Sequence, residues 1–190
     1  MSLAITIELG DADLKYFVSA MERAQQETRN LSAREVTDAA SKLLAEDRRA
    51  NVPQFIVDRL NKLDSMIAMV NDEGFALPVD DKHRVLGCLA YFANPQDLIP
   101  DNIPVLGLLD DAIMIELCSR ELEHELEAYE DFVEYRNEEA ARRGVDPKTL
   151  KTERVEWAEA RRLELLDRMR KRRGTSYRAS EAPRLFSFGG

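Results

Sequence analysis

Tyr91-Phe92-Ala93-Asn94-Pro95-Gln96-Asp97-Leu98-Ile99-Pro100-Asp101-Asn102-Ile103-Pro104-Val105-Leu106-Gly107-Leu108-Leu109-Asp110-Asp111 decides the fold of this chain. Three prolines and one glycine punctuate it, four aspartates lie between Asp97 and Asp111, and most of the rest is large and apolar. Asn94-Pro95 ends any helix before it, because the residue preceding a proline is pushed out of the helical region. On the N-terminal side Asp80 or Asp81 opens a helix carrying Val85, Leu86, Leu89 and Phe92 inward. On the C-terminal side Asp110 is placed to cap a long helix in which Ala112 to Ile115 is apolar all round and therefore buried. The stretch predicts helix, rigid turn, helix: a hairpin over 84–117.

From Tyr91 to Ile115 the chain resembles the YkvA family, a bacterial domain of unknown function. That family's signature is an aromatic residue, then Pro-x-Asp-Leu-Ile-Pro-Asp, a proline, a glycine and an Asp-Asp pair, matched here by Pro95 to Asp101, Pro104, Gly107 and Asp110-Asp111. The resemblance implies the turn and the hairpin. It attaches no reaction to them, and it does not reach residues 1–80 or 140–190.

Outward from the hairpin the chain reads as helices. Leu3, Ile5, Ile7 and Leu9 alternate like a short strand that Gly10 ends, an extended arm over 1–10 that either pairs with a second copy or lies over the helices. Asp11 then caps a helix with Leu14, Phe17, Val18 and Met21 inward, fading near Thr28. Ser32 and Glu35 form a capping box, with Leu31 and Val36 as its hydrophobic staple, for a helix that buries Val36, Ala40, Leu43 and Leu44 and runs to about Arg49. Pro53 fits a first helical position, followed by Ile56, Leu60, Leu63, Ile67 and Val70, with Gly74 as terminator. Beyond the hairpin, Cys118, Leu122, Leu126, Tyr129 and Val133 continue the buried stripe until Arg142-Arg143-Gly144 breaks it. Asp146-Pro147 begins a last helix, with Val145 and Leu150 as a staple, ending in Arg168, Arg170, Lys171, Arg172 and Arg173; from Gly174 to Gly190 the reading is a mobile tail.

The expected architecture is all-α: a bundle of about six helices with the Pro/Asp-rich hairpin at its centre. A helical domain spans 11–140, a basic helix 141–173 and the tail 174–190. A length of 190 residues, with 44% hydrophobic and 33% charged, suits one such domain with tails. The net charge of −9 conceals a polarity. Acidic residues outnumber basic ones 12 to 2 over 110–141, and basic residues lead 14 to 7 over 142–190, so the basic end either folds back on the acidic helix or meets an acidic partner. The two cysteines, Cys88 and Cys118, stand in apolar helical context and read as reduced thiols. Residues 1–8 lack the basic start and apolar run of a signal peptide, and charges interrupt every membrane-length window. A cytoplasmic, soluble protein is the expectation.

The sharpest chemical candidates are Asp97, Asp101, Asp110 and Asp111, hard oxygen ligands that would suit Mg²⁺ or Mn²⁺ in a hydrolytic or phosphoryl-transfer step. Helix and turn capping accounts for each of the four without a metal. Asn94, Pro95, Pro100, Pro104 and Gly107 read as the structural turn. His124 with Glu121 and Glu127 is a weak second metal candidate, outweighed by a solvated helix face. No nucleophile elbow, catalytic cysteine or phosphate-cradling loop is present, and no catalytic residue or small-molecule cofactor is assigned. Arg168, Arg170, Lys171, Arg172 and Arg173, followed by Tyr177, Phe186 and Phe188, could contact nucleic-acid phosphates and bases, but the acidic whole makes a protein partner the favoured one. The sequence thus favours a non-catalytic protein-interaction or self-association module. A divalent-metal hydrolase and a nonspecific nucleic-acid binder are the alternatives.

Overall fold

The computed structural model describes residues 8–45, 52–93 and 108–180, with backbone alone at 168 and 170–180. Among these residues there are seven α-helices and no strand: α1 (Asp11–Thr28), α2 (Ala33–Ala40), α3 (Gln54–Asn71), α4 (Val79–Leu89), α5 (Leu109–Glu121), α6 (Glu123–Arg143) and α7 (Arg154–Ser180). The all-α expectation holds. The arm residues Leu3, Ile5 and Ile7 lie outside the described residues. Two compact units, 1–131 and 132–190, divide the chain inside α6.

In the first unit, α3 and α5 supply the deepest burial. Ile56, Leu60, Leu63, Met66 and Met69 on α3 and Met114, Ile115 and Leu122 at α5 are all but inaccessible. Burying a side chain of this size contributes about 1.5–3 kcal/mol. α3 packs on α5 and α4, and α1 and α2 pack on the 3-10 turn Ala90–Ala93 that continues α4. Gly87 lets α1 come close to α4: a Cβ there would lie 3.1 Å from Gln25 Nε2, which itself donates to the Gly87 carbonyl at 3.0 Å.

Local chemistry moves several boundaries from the expected places. The Ser32–Glu35 capping box forms, with Glu35 Oε2 accepting from Ser32 N at 2.7 Å and Ser32 Oγ from Glu35 N at 3.3 Å. Leu31 remains exposed while Val36 is buried. α1 starts after Gly10, not after an Asp11 cap, because the Asp13 carboxylate accepts the Gly10 N–H at 2.9 Å. Its inner face is Phe17, Ala20, Ala24 and Thr28, and Val18 is 45% exposed; small residues set the close approach and rotate the stripe away from Val18. α2 tightens into a 3-10 turn at Ser41–Leu44. Pro53 and Pro78 sit at the N-caps of α3 and α4, so Asp80 and Asp81 fall in the first turn of α4.

The terminator of α3 is Asp72, not Gly74. Its Oδ1 accepts the Gly74 and Phe75 N–H groups at 3.0 and 3.1 Å. The long second signature helix breaks at Leu122 (φ −107, ψ 20) into α5 and α6, which brings the described residues to seven α-helices beside the about six expected. Leu122 is fully buried, and its N–H still reaches the Cys118 carbonyl at 3.0 Å.

The second unit is built on the C-terminal part of α6 and on α7. Phe132, fully buried, meets Trp157 edge-on at 6.0 Å, with the Arg136 guanidinium 5.2 Å above its ring. Phe132, not the half-buried Val133, is the core residue of this part of α6. Gly144, at φ +66, ends α6 as expected: the Val145 N–H reaches back to the Ala140 carbonyl at 3.0 Å, a Schellman closure. Asp146-Pro147 does not begin a helix. Asp146 Oδ1 takes the Lys148 N–H at 2.8 Å and its carbonyl takes the Thr149 N–H at 2.9 Å, so its side chain and carbonyl close a turn instead of capping a helix. α7 therefore starts at Arg154, with no Val145–Leu150 staple, and it runs through Gly174 to Ser180.

Candidate functional site

Asn94, Pro95, Asp97, Pro100, Asp101, Pro104 and Gly107 lie outside the described residues. The structure describes the residues on either side of them. Before them, Tyr91 and Phe92 are buried, their rings edge-to-face at 5.3 Å. After them, Leu108 is the N-cap of α5, and Asp110 and Asp111 fall in the first turn. Asp110 is therefore not the cap. Both carboxylates are buried, at 2% and 5% exposure, where the positive end of the helix dipole favours negative charge. Among the described residues no group of three or more His, Cys, Asp or Glu side chains is placed to hold a metal. His124 stands 92% exposed, with Glu127 3.8 Å away.

Two ion clusters join elements distant in sequence. Arg84 on α4 reaches Asp81 at 3.8 Å, the Glu121 carboxylate at 3.4 Å, the Glu121 carbonyl at 3.2 Å, and Glu125. It thereby ties α4 to the break between α5 and α6. On the opposite flank Glu116 gathers Arg59, Lys62 and Arg120 at 3.4, 3.2 and 3.0 Å. Partial burial pushes the Glu116 carboxyl up, but hydrogen bonds from Arg120 and Lys62 and the charges of Lys62 and Arg59 outweigh it and hold its pKa below the usual carboxylate value.

Glu116 and Arg120 border two open cavities of about 340 Å³ each. One has an apolar wall of Leu14, Phe55, Leu109, Ile113 and Leu117. The other is lined by Ser65, Ser119, Glu123, Glu127 and Glu130. Neither cluster had a sequence signal, because Arg84 stands 37 residues from Glu121 and Lys62 stands 54 from Glu116.

Cys88 on α4 and Cys118 on α5 are buried, the Cys118 thiol donating to the Cys88 carbonyl at 3.9 Å. In the second unit, Arg168, Arg170, Lys171, Arg172, Arg173 and Tyr177 all fall on α7, and Phe186 and Phe188 lie outside the described residues. The same helix carries an exposed apolar feature. Val155, Leu163, Leu165, Leu166 and Met169 on α7 are 75, 58, 58, 39 and 43% exposed. At 100° per residue they fall within an arc of about 160°. Trp157 and Arg161, which meet Phe132 and the Tyr135 ring, lie on the opposite side.

Residues 82–117 match a family described as a protein of unknown function, DUF1232. The match spans the 84–117 stretch read as a hairpin from the sequence. No curated protein and no solved structure matches the chain. Among the described residues no helix is long and apolar enough to cross a membrane.

Proposed function

We propose that this chain is a YkvA-like, non-catalytic helical interaction module that pairs with a second copy of itself through α7. The observation that carries this reading is the exposed apolar arc of α7, opposite the face that meets Phe132 and Tyr135. A helix apolar on two sides needs two neighbours, and an exposed apolar stripe of this kind marks an association surface. Charge selects an antiparallel second copy as the occupant. Residues 154–167 carry Glu156, Glu159, Glu164 and Asp167 against Arg154, Arg161 and Arg162, a net −1, whereas 168–180 carry six basic residues and no acid. Antiparallel pairing sets each basic end beside the less basic start of its partner. A cytoplasmic setting belongs to the same reading, supported by the two free, buried cysteines.

Sedimentation equilibrium over a wide range of concentrations tests it. The expected result is a reversible dimer. The Leu163→Glu/Leu166→Glu variant should raise its Kd at least about tenfold with unchanged helical circular dichroism, since each burial lost is worth more than about 1.4 kcal/mol. A monomer at every concentration, or a dimer indifferent to the variant, would overturn the reading.

A further inference from the structure

We infer that Cys88 and Cys118 form a reversible dithiol–disulfide modification site that closes the signature hairpin when oxidised by a low-molecular-weight disulfide. The two residues are the chain's only cysteines. They sit on α4 and α5, one on each side of residues 94–107, and both are buried, at 5% and 2% exposure. Cys118 Sγ lies 3.9 Å from the Cys88 carbonyl oxygen, so its side chain is directed at the residue it would bond.

The surroundings assign different roles to the two thiols. A side-chain hydrogen bond between the Cys118 and Cys88 thiols holds the Cys88 thiol below its ordinary pKa against the effect of burial. The same bond, together with burial, pushes the Cys118 thiol up. Cys88 also lies one helical turn from Arg84, whose ion cluster with Glu121 and Glu125 is partly exposed. A small reagent reaches Cys88 only if these side chains move aside, which the reaction itself tests.

The chemistry balances as two successive exchanges. The Cys88 thiolate attacks one sulfur of R–S–S–R, the S–S bond breaks, and RS⁻ leaves to take up the proton Cys88 released. Cys118 then gives up its proton and attacks Cys88 Sγ, expelling the second RS⁻, which that proton neutralises. Two protein thiols become one disulfide, and the reagent is reduced by two electrons to two RSH. The ring so closed contains the whole of 94–107, and a cross-link of that span restricts the unfolded chain most.

The test treats the native, full-length protein with 2-hydroxyethyl disulfide and follows intact mass, thiol titre and thermal melting. The expected product has lost the mass of two hydrogens and both thiols, yields a single Cys88–Cys118 cross-linked peptide, melts several degrees higher, and returns to the starting state with dithiothreitol. The Cys88→Ala and Cys118→Ala variants should show no such rise. Retention of two thiols under native conditions, a mixed disulfide that goes no further, or linkage between chains instead of within one would each overturn the inference. The wild-type mass decides this even where a variant folds poorly.

Discussion

Replacing Asp72 by alanine tests the link that fixes the end of α3 before the hairpin begins. One carboxylate holds three groups: the N–H of Gly74 at 3.0 Å, the N–H of Phe75 at 3.1 Å, and the Tyr129 hydroxyl, which donates to Oδ2 at 3.2 Å. Phe75, 1% exposed, in turn packs edge-on against the Tyr129 ring at 5.2 Å. Losing a side-chain cap costs about 1 kcal/mol, and depriving a part-buried hydroxyl of its acceptor costs about 1–2 kcal/mol more. Asp72→Ala should therefore cost about 2–3 kcal/mol. Tyr129→Phe should cost about 1 kcal/mol, since the ring stays and only the hydroxyl goes. The double variant should cost less than the sum by about 1 kcal/mol, because either change alone already breaks the shared bond. Urea unfolding followed by helical circular dichroism measures all three. A loss below about 0.5 kcal/mol for Asp72→Ala, or strict additivity, would refute the assignment of this carboxylate as the clamp.

Gly144 ends α6 at φ +66, and a Cβ placed there would meet nothing within 4 Å, so Gly144→Ala should destabilise the second unit by about 1 kcal/mol through backbone strain alone, read as a lowered urea midpoint. Ala76 holds φ 47 without the freedom of glycine, and Ala76→Gly should leave stability unchanged or raise it by up to about 1 kcal/mol in the same assay. The Glu116 carboxyl has a folded pKa below its usual 4.5. Its contribution is accordingly full above that pH and is lost as pH falls through the folded value. Glu116→Gln should melt lower than wild type at pH 7, by about 1 kcal/mol for a partly exposed cluster, and the gap should shrink below pH 4.5. A gap that is constant with pH would assign the loss to packing. Phe132→Ala, which empties the site beside Trp157, should cost about 3–5 kcal/mol in the second unit, seen as early loss of the Trp157 fluorescence transition.

The fold class and most of the periodic faces were legible in the amino-acid order alone, because they rest on interactions within a few residues. Ile56, Leu60, Leu63, Ile67 and Val70 recur at helical spacing and are all buried. The Ser32–Glu35 box and the Gly144 stop are satisfied inside a single turn of chain. The proline- and glycine-punctuated stretch lies inside the family match. Of the candidate aspartates, Asp110 and Asp111 were readable as lying at a helix start, and their burial needed the fold.

What depends on partners far along the chain was settled only by packing. Val18 and Phe17 are equally apolar neighbours, and only the approach of α1 to α4 turns one inward and the other out. Asp72 displaced Gly74 as terminator because Tyr129, 57 residues on, lies within reach of its carboxylate. The Glu116 and Arg84 clusters arose the same way. On α7, Trp157 and Arg161 meet the rings of Phe132 and Tyr135 while Leu163 and Leu166 face outward, a choice of side that packing made. Local rules fix which residues make a helix, but which side of it is inside depends on what stands next to it, and no nearest-neighbour signal carries that.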